Sequence, residues 1–579
     1  MKPLFKKEWR LKRLDAIEES VKSFSPAERA LFVAASIVFA VSALWILVKI
    51  NDTFLVEIPA HGGSFSEAEV GTPRFINPLL AISDSDRDIS ALVYSGLTRE
   101  MPDGTIIPDL AQSFSVSPDG LTYTFDIRQD ATFQDGAPVT ADDVAFTVLK
   151  AEDPALKSQE FVNWNGVRVL VVNSKEISFT LKQPYAFFLY DTTMGVLPKH
   201  IWQNVTDDNF AFSAYNSSPV GSGPYSVSSI TRDSSGVPTD YELSSFANFA
   251  LGAPYIQNIS LKIFPDATSA FDALQKGQVG AFAGIDPSAM PISEKGSRTI
   301  VAPFTRIFGL FFNQNQNAIF ADHAVRTALD LSAPRQAIVS SVLNGFGSIL
   351  TGPLPSQTVG ENIPSASSST TINVASTTLS KDGWKIASTG VLTKTSKKSS
   401  TPLSFSISTG DVPQLVAAAN ILKEAWSSLG ANVDVKVFGQ SDLAQSVVET
   451  RSYDALLLGM VLGRHPDLYA FWDSSQRSYP GLNVAEYVNA KADKVLSDMR
   501  STTTPSVETS DLNKFLSYVA SDTPAVFLYS PDFIYAVPSS IKNISVGPVT
   551  VQSDRFENIW QWYIDTEKVW SVFVQNNKN

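Results

Sequence analysis

The stretch from Pro108 to Leu149 constrains the fold of this chain most, because a turn, a strand and a helix start follow one another in it. A turn is predicted at Pro118–Gly120, since proline presets φ and glycine accepts a positive φ. Apolar and polar residues then alternate from Leu121 to Ile127, which indicates a half-buried strand. Thr140 and the two aspartates after Ala141 indicate a helix N-terminus, where a hydroxyl can accept from an amide and carboxylates face the positive end of the dipole.

This order of signals resembles the signature block of the family 5 solute-binding proteins, which are the oligopeptide-, dipeptide- and nickel-binding receptors of ABC importers. The resemblance extends from about Gly62 to the C-terminus and includes Asn77-Pro78 and the segment Val220–Tyr225. It implies a two-lobed α/β fold of the periplasmic-binding-protein-like class II type, with an inserted subdomain. It also implies a receptor that closes over a peptide or other small solute and delivers it to ABC permease subunits in the membrane.

The run from Ala30 to Val48 contains 19 residues without a charge. At ~1.5 Å per residue, a helix of this length just crosses a hydrocarbon core of ~30 Å. Eight basic residues precede the run and Lys49 alone closes it, which predicts a cytoplasmic tail over residues 1–29 and an extracellular or periplasmic body. A single-pass signal anchor over residues 30–48 is favoured, because the run ends at Trp45–Val48 rather than in the small residues of a cleavage site. A cleaved signal peptide and a buried core helix are the alternatives.

The acidic balance and the lack of cysteine exclude several classes of protein and site. The net charge is −13, and the part after residue 29 carries −16. Nucleic acid is therefore not an expected partner, because phosphate binding needs a concentrated basic face. Without cysteine the chain has no disulfide, no thiolate metal site, no cysteine nucleophile and no lipidated cysteine.

The length of 579 residues predicts at least two lobes beyond any anchor, since one core rarely supports so long a chain. Lobe I is predicted over residues 62–305 and 526–579, with the inserted subdomain at about 98–222, and lobe II over residues 306–525. A stretch rich in Ser, Thr and Lys, at about 356–401, is interpreted as a surface excursion of lobe II, with a regulatory linker as the alternative. The receptor is expected to be a monomer.

Lobe II carries the pattern of a parallel α/β unit. Residues Leu403–Ile407 alternate as a strand, and an amphipathic helix is predicted from Asp411 to Leu429, with Asp411 and Gln414 spaced as a cap. Val433–Val437 forms the next strand, so the sequence predicts a right-handed parallel crossover. The near-continuous apolar run Tyr453–Gly459 is typical of a strand covered by helices on both faces.

A ligand is expected beyond the carboxyl end of that last strand, where open α/β sheets bind theirs. In the peptide-binding relatives, an aspartate a few residues after a Gly-Trp pair at this strand end pairs with the peptide's amino terminus. Here Gly459-Met460 replaces that pair and Gly463 stands in place of the aspartate, so Asp467 is the candidate substitute. Arg464 is a candidate partner for a ligand carboxylate, because its planar fork suits bidentate contact. The ligand-binding residues predicted in lobe II are Gly463, Arg464, His465, Asp467, Tyr469 and Trp472.

The resemblance implies that the opposite wall of the site comes from lobe I. The loop after the opening strand matches the groove-lining position of the family, and a tyrosine near the C-terminus corresponds to a ligand-contacting one. These further predicted ligand-binding residues are Gly71, Thr72, Arg74, Phe75, Asn77 and Tyr529.

No sequence pattern indicates a catalytic residue, a metal site or a cofactor. The four histidines, His61, His200, His323 and His465, have no metal-ligand spacing, although nickel held through a chelator stays open as an alternative. There is neither a Gly-x-Ser-x-Gly elbow nor a phosphate loop, so an extracellular hydrolase lacks a nucleophile–base pair to support it. The main rival of the transport receptor is a membrane-anchored adaptor or sensor that keeps the binding fold without transport.

Overall fold

The computed structural model describes residues 21–290, 296–355, 372–396, 399–502 and 505–574. Its residues divide into a small unit, formed by the segments before His61 and after Ile564, and a large unit from His61 to Ile564.

The small unit consists of a long apolar helix and a two-stranded ribbon. The helix spans Pro26–Phe54 and begins at the predicted capping box, in which the Ser25 amide donates to the Glu28 carboxylate at 2.8 Å and the Glu28 amide donates to the Ser25 hydroxyl. None of the helix residues is buried. Among the described residues it is the one helix long and apolar enough to cross a membrane.

The ribbon of the small unit pairs strand Leu55–Pro59 antiparallel with strand Thr566–Trp570, and a short helix, Ser571–Val574, follows. The C-terminal segment was predicted to belong to lobe I as far as residue 579. In the structure the end of this segment belongs to the small unit instead. The sequence did not indicate this, because a pairing between segments some 510 residues apart leaves no local signal.

A mixed sheet of twelve strands runs through the large unit, and its long strand Ala525–Pro538 is shared by both lobes. On the lobe II side the strands follow in the order Arg306–Phe312, Ala455–Val461, Ser404–Gly410 and Asn432–Phe438. On the lobe I side the order is Ala281–Ala283, Ser64–Val70, Asn258–Phe264, Pro238–Ser245 and Tyr225–Arg232. Ser297–Pro303 and Gly347–Ile349 also pair with the long strand.

The chain crosses between the lobes in the middle of this long strand. Val526 and Tyr529 pack in a hydrophobic core of lobe II, whereas Phe533 and Val537 pack in the core of lobe I. The predicted boundary between residues 525 and 526 therefore moves into the strand. Ser530-Pro531-Asp532 interrupts the apolar residues of this strand and is the one local signal at the crossing.

The inserted subdomain is a four-stranded antiparallel sheet with a helix, Ala141–Ala151. Its strands follow in the order Ala111–Val116, Thr122–Ile127, Glu176–Thr180 and Arg168–Asn173. The predicted turn, strand and helix start are confirmed: Gly120 has φ +70°, and the amide and hydroxyl of Thr140 donate to Asp143 at 2.8 and 2.6 Å. The other elements of lobe I are strands Thr98–Glu100 and Ile106–Pro108 and helices Asp84–Val93, Phe161–Trp164, Phe188–Asp191, Lys199–Trp202, Asp207–Phe210 and Ala267–Gln275.

The predicted parallel crossover of lobe II is confirmed, since Ile407 lies opposite Val435 in a parallel pair. The connecting helix spans Pro413–Leu429 and has no side-chain cap, so the predicted Asp411 cap is wrong; Gln414 donates to Asp286 of lobe I instead. The remaining helices of lobe II are His323–Leu331, Arg335–Val342, Ile372–Lys381, Gln440–Asp442, Tyr469–Trp472, Ala490–Ser501 and Pro505–Asp522, with one π-helix at Leu443–Val448.

The described part of the Ser/Thr-rich stretch packs onto lobe II. It contains the helix Ile372–Lys381 and a three-stranded antiparallel sheet of Trp384–Ile386, Leu392–Thr395 and Ser400–Pro402. Ala375, Leu379, Trp384 and Leu392 are buried in the lobe II core. The expectation of a surface excursion therefore does not hold for this part, because a few apolar residues at helical and strand spacing suffice to fix it; residues 356–371 lie outside the described residues.

Candidate ligand-binding site

The segment that follows strand Ala455–Val461 reaches from lobe II to lobe I. The amide of Leu462 donates to the carbonyl of Thr305, and Gly463 then turns the chain with φ +77°, a conformation that favours glycine. The next side chain, Arg464, is only 5% exposed and is surrounded by atoms of lobe I. The crossing point is therefore the carboxyl edge of the sheet, where a ligand was predicted.

Three carboxylates of lobe I hold the guanidinium of Arg464. Its Nη1 lies 2.7 Å from Glu557 and 3.3 Å from Glu100, and its Nη2 lies 3.8 Å from Asp554. Nη1 also donates to the carbonyl of Met101 at 3.2 Å. Arg464, which was predicted to bind a ligand carboxylate, thus forms ion pairs with carboxylates of the protein itself.

The three carboxylates come from separate parts of lobe I, and we call them the acid cluster. Glu100 ends the short strand Thr98–Glu100. Asp554 lies in a 3-10 helix, Gln552–Phe556, and accepts from the amides of Thr550 and Val551 at 2.7 and 3.2 Å. Glu557 follows this turn directly, so the turn fixes two of the three carboxylates.

Burial dominates the electrostatics of the acid cluster. It raises the pKa of Glu557 to about 9, although Arg464 acts in the opposite direction, and it also raises the pKa of Asp554. Burial alone would lower the pKa of Arg464, but Glu557 and Asp554 raise it above its ordinary value. Glu557 therefore retains its proton near neutral pH.

A cavity of about 260 Å³ adjoins the acid cluster on the lobe I side. Arg99 lines it and donates to Asp109 at 2.8 Å and to Ser95 at 3.2 Å. Tyr94, Ser95, Arg99, Asp109 and all three residues of the acid cluster contribute to its wall. The cavity is therefore polar and predominantly acidic.

A second contact joins lobe II to the inserted subdomain. The ring of His465 stacks on Tyr190 with centroids 4.0 Å apart, and its Nε2 lies 3.5 Å from Glu100. Arg500 offers its carbonyl to the amide of Ala186, and its guanidinium lies 5.6 Å from the ring of Tyr185. The lobes therefore also meet through aromatic and charged groups outside the contacts of Arg464.

Asp467, the candidate amine anchor, belongs to this second contact. Its carboxylate lies 3.0 Å from Nε of Arg500, and Tyr469 packs against the same guanidinium at 4.6 Å. Burial raises the pKa of Asp467. Burial, together with the charges of Glu160 and Asp467, also raises the pKa of Asp191 in the inserted subdomain to about 8. Asp467 thus has an internal cation in this structure.

Two of the predicted contact residues lie in hydrophobic cores. Trp472 is fully buried against Phe311 and Phe527, and Tyr529 is 1% exposed and stacks on Phe308 at 4.8 Å. The structure gives their predicted ligand contact no support, because both side chains pack within lobe II.

The predicted lobe I residues form a loop beside the helix Asp84–Val93. The amides of Arg74 and Phe75 donate to Asp86 at 2.7 and 2.8 Å, and Asn77 is buried against Asn216 at 3.1 Å. Gly71 has φ +85°, and Thr72 and Arg74 are exposed. Within the described residues, no hydrogen bond or ion pair joins this loop to residues 463–472, so its part in ligand binding stays a prediction.

Sequence reasoning missed the acid cluster and Arg500. Glu100 and Glu557 lie 364 and 93 positions from Arg464, and none of them belongs to a motif that would single it out. The available signal was the surplus of acidic residues in the body, which carries no positional information. Over the described ranges, no group of three or more His, Cys, Asp or Glu side chains is arranged to hold a metal ion.

Comparison with known proteins identifies relatives over most of the chain. Residues 105–481 match the model of the bacterial extracellular solute-binding proteins, family 5 (middle part). The oligopeptide-binding protein AppA of Bacillus subtilis is 27% identical over 518 residues, which are 87% of this chain and 92% of that protein.

Two solved structures share the fold over nearly their whole length. AppA of Bacillus subtilis in complex with a nonapeptide superposes with a TM-score of 0.66 at 26% identity and covers 88% of this chain and 100% of its own. NikZ of Campylobacter jejuni in complex with Ni(L-His) superposes with a TM-score of 0.67 at 25% identity and covers 86% of this chain and 99% of its own. Both matches extend over the two lobes and the inserted subdomain.

Proposed function

Because this chain belongs to the bacterial extracellular solute-binding proteins of family 5, we propose that it captures peptides between its two lobes and delivers them to an ABC importer. Proteins of this family are binding receptors, and the chain is accordingly a receptor and not an enzyme. Permease subunits in the membrane would be its partners, and the N-terminal helix would hold it at the outer face.

The observation that carries the peptide assignment is the similarity to AppA in complex with a nonapeptide, which extends over 88% of the chain. An extended peptide can be held largely through its backbone, with pockets for alternate side chains. A change in single anchor residues between relatives is compatible with that mode of binding. The replacement of the relatives' amine-binding aspartate by Gly463 therefore alters the anchor without excluding a peptide.

The internal partners of the predicted anchors indicate how a ligand would enter. Arg464 is held by the acid cluster and Asp467 by Arg500, so neither charge is free when the lobes touch. Opening of the lobes separates Arg464 from the acid cluster, whereas Asp467 and Arg500 belong to the same lobe. We expect ligand binding to exchange these internal contacts for contacts with the ligand.

The helix Pro26–Phe54 supports membrane anchoring. None of its residues is buried and most of its large apolar side chains are exposed, so burial in lipid would remove them from water. The excess of basic residues before residue 30 favours a cytoplasmic N-terminus.

The test uses the full chain purified in mild detergent, examined by native mass spectrometry and by thermal unfolding. A random peptide library, free amino acids, sugars and the nickel–histidine complex are the probes. A ligand that binds only the folded state raises its stability by roughly 2.7 kcal/mol at ~100 Kd. We expect peptides to bind. Asp467→Asn should lower the affinity for peptides, whereas the control Asp434→Asn, at an exposed position, should leave that affinity unchanged.

Two results would overturn the proposal. Stabilisation by nickel–histidine but by no peptide would assign a metal-chelate receptor. No copurified ligand and no shift with any probe would favour the membrane-anchored adaptor or sensor.

A further inference from the structure

Arg464 occupies the acid cluster as a guanidinium supplied by the protein itself. The side chain comes from lobe II, whereas all three carboxylates and the carbonyl of Met101 belong to lobe I. Lobe I therefore offers a set of acceptors that binds a guanidinium brought to it from outside the lobe. A guanidinium presents five donors in a planar fork, which matches carboxylate and carbonyl acceptors arranged around it.

The fit of Arg464 to this set is incomplete. Its Nη2 is buried without a hydrogen-bond partner among the described residues, since the nearest carboxylate, that of Asp554, lies 3.8 Å away. Oε1 of Glu100 is likewise buried without a hydrogen bond. Buried polar atoms normally make hydrogen bonds, whereas these two keep only longer ionic contacts, so the set can hold a better-placed cation.

The site also has room and charge for more than Arg464. The adjoining cavity of about 260 Å³ could hold several water molecules at roughly 30 Å³ each, and Tyr94 and Asp109 extend its polar wall. Three carboxyl groups face one guanidinium, so acceptors outnumber the cation at this site. The group that occupies the site in this structure is a guanidinium, so the expected occupant is an organic cation of the same kind.

We propose that the acid cluster and its cavity form a cation subsite of the receptor, which accepts a guanidinium or primary ammonium group of the ligand, and that Arg464 fills this subsite when no ligand does. This inference rests on the proposed function, since it names the class of ligand for the same cleft. Ligands with a basic group displace Arg464, whereas ligands with an anionic group meet three carboxylates at this position. Arg464 thereby determines specificity as an internal competitor.

The test compares n-butylguanidinium with its neutral isostere n-butylurea on the full chain in detergent. Isothermal titration measures both affinities for the unchanged chain and for Arg464→Ala, which vacates the subsite. We expect Arg464→Ala to bind n-butylguanidinium at least tenfold more tightly than the unchanged chain does, with no gain for n-butylurea. Adding Glu100→Gln to Arg464→Ala should lower that affinity about tenfold, because charged partners make the stronger hydrogen bonds.

The matched control is Arg232→Ala, which removes an exposed arginine of lobe I and should leave both affinities unchanged. An equal gain for n-butylurea, or no gain for n-butylguanidinium, would overturn the inference. If Arg464→Ala fails to fold by circular dichroism, Arg464→Met keeps the aliphatic stem and is held to the same expectation.

The peptide screen separates this inference from the proposed function. If peptides bind but Arg464→Ala does not raise the affinity for n-butylguanidinium, the receptor assignment stands and the cation subsite is refuted. The reverse result would keep the subsite and remove the peptide assignment.

Discussion

The guanidinium of Arg464 and the carboxylate of Glu557 lie 2.7 Å apart and belong to different lobes. Because the pair crosses the cleft, the protonation of Glu557 is linked to the contact between the lobes. Burial raises the pKa of Glu557 to about 9, whereas a carboxylate released into water titrates at about 4.3.

This linkage predicts that the contact between the lobes weakens as the pH rises. Joined lobes keep a proton on Glu557 that separated lobes release, so low pH favours the joined state. The preference for joined lobes is complete below about pH 4.3 and is lost progressively as the pH rises to about 9. For one proton, the ratio of joined to separated lobes falls by up to tenfold per pH unit.

Distances between spin labels would measure this pH dependence. The chain has no cysteine, so Ser115→Cys in the inserted subdomain and Ser427→Cys in lobe II give two defined labels at exposed positions. The population with long distances should grow between pH 6 and pH 9. Glu557→Gln should reduce this slope without abolishing it, because Asp191 also has a raised pKa at the interface. An unchanged slope in Glu557→Gln would contradict the linkage.

Substitution of Tyr529 distinguishes a core residue from a ligand contact. Its hydroxyl is buried without a hydrogen-bond partner among the described residues, so Tyr529→Phe should be neutral or stabilising, by about 0–1 kcal/mol. The matched variant is Tyr453→Phe. The hydroxyl of Tyr453 donates to the carbonyl of Val484 at 2.6 Å, so its removal should lower the free energy of unfolding by about 1 kcal/mol. Urea unfolding measures both. A loss of peptide affinity in Tyr529→Phe alone would show instead that its hydroxyl reaches the ligand.

A fully buried arginine organises the core of lobe I. Arg555 lies 2.9 Å from Glu67, 2.7 Å from Asp88 and 3.3 Å from Glu69. Arg555→Met leaves these carboxylates without their cation and should destabilise the folded state by about 3–5 kcal/mol. Arg168→Met removes an exposed arginine as the control and should change stability by less than about 0.5 kcal/mol. Equal losses for the two variants in urea unfolding would contradict a structural role of this network.

A charge placed at the centre of the N-terminal helix tests anchoring. Val41→Arg should lower the share of the chain that stays in membranes after an alkaline wash, since a central arginine costs about 2.5–3.5 kcal/mol on insertion. Thr53→Arg, near the helix end, should have little effect because its side chain can reach the interface. Sequencing of the N-terminus of the mature protein is the second measurement. A start beyond residue 54 would contradict anchoring, because the helix would then be a cleaved signal.

Local patterns predicted the elements, whereas the site depended on contacts that no local pattern encodes. The alternation at Leu121–Ile127 and the parallel strands around the helix Pro413–Leu429 follow from periodicity within a few residues. The ion pairs of Arg464 join positions 90 to 364 residues apart, and each partner alone is an ordinary surface-type residue. Asp467 was singled out by resemblance, yet its pairing with Arg500 follows from packing of the segment against helix Ala490–Ser501.

The strand Ala525–Pro538 limits how the lobes of the proposed receptor can move. It stays extended on both sides of Pro531, where the hydrogen-bonding partners change from lobe II to lobe I, and the proline ring fixes one torsion at that point. We therefore expect opening of the proposed receptor to rotate a few torsions between two persistent strands and to release little backbone entropy. Most of the free energy of ligand contact then remains available for affinity, because little of it is used to order the chain.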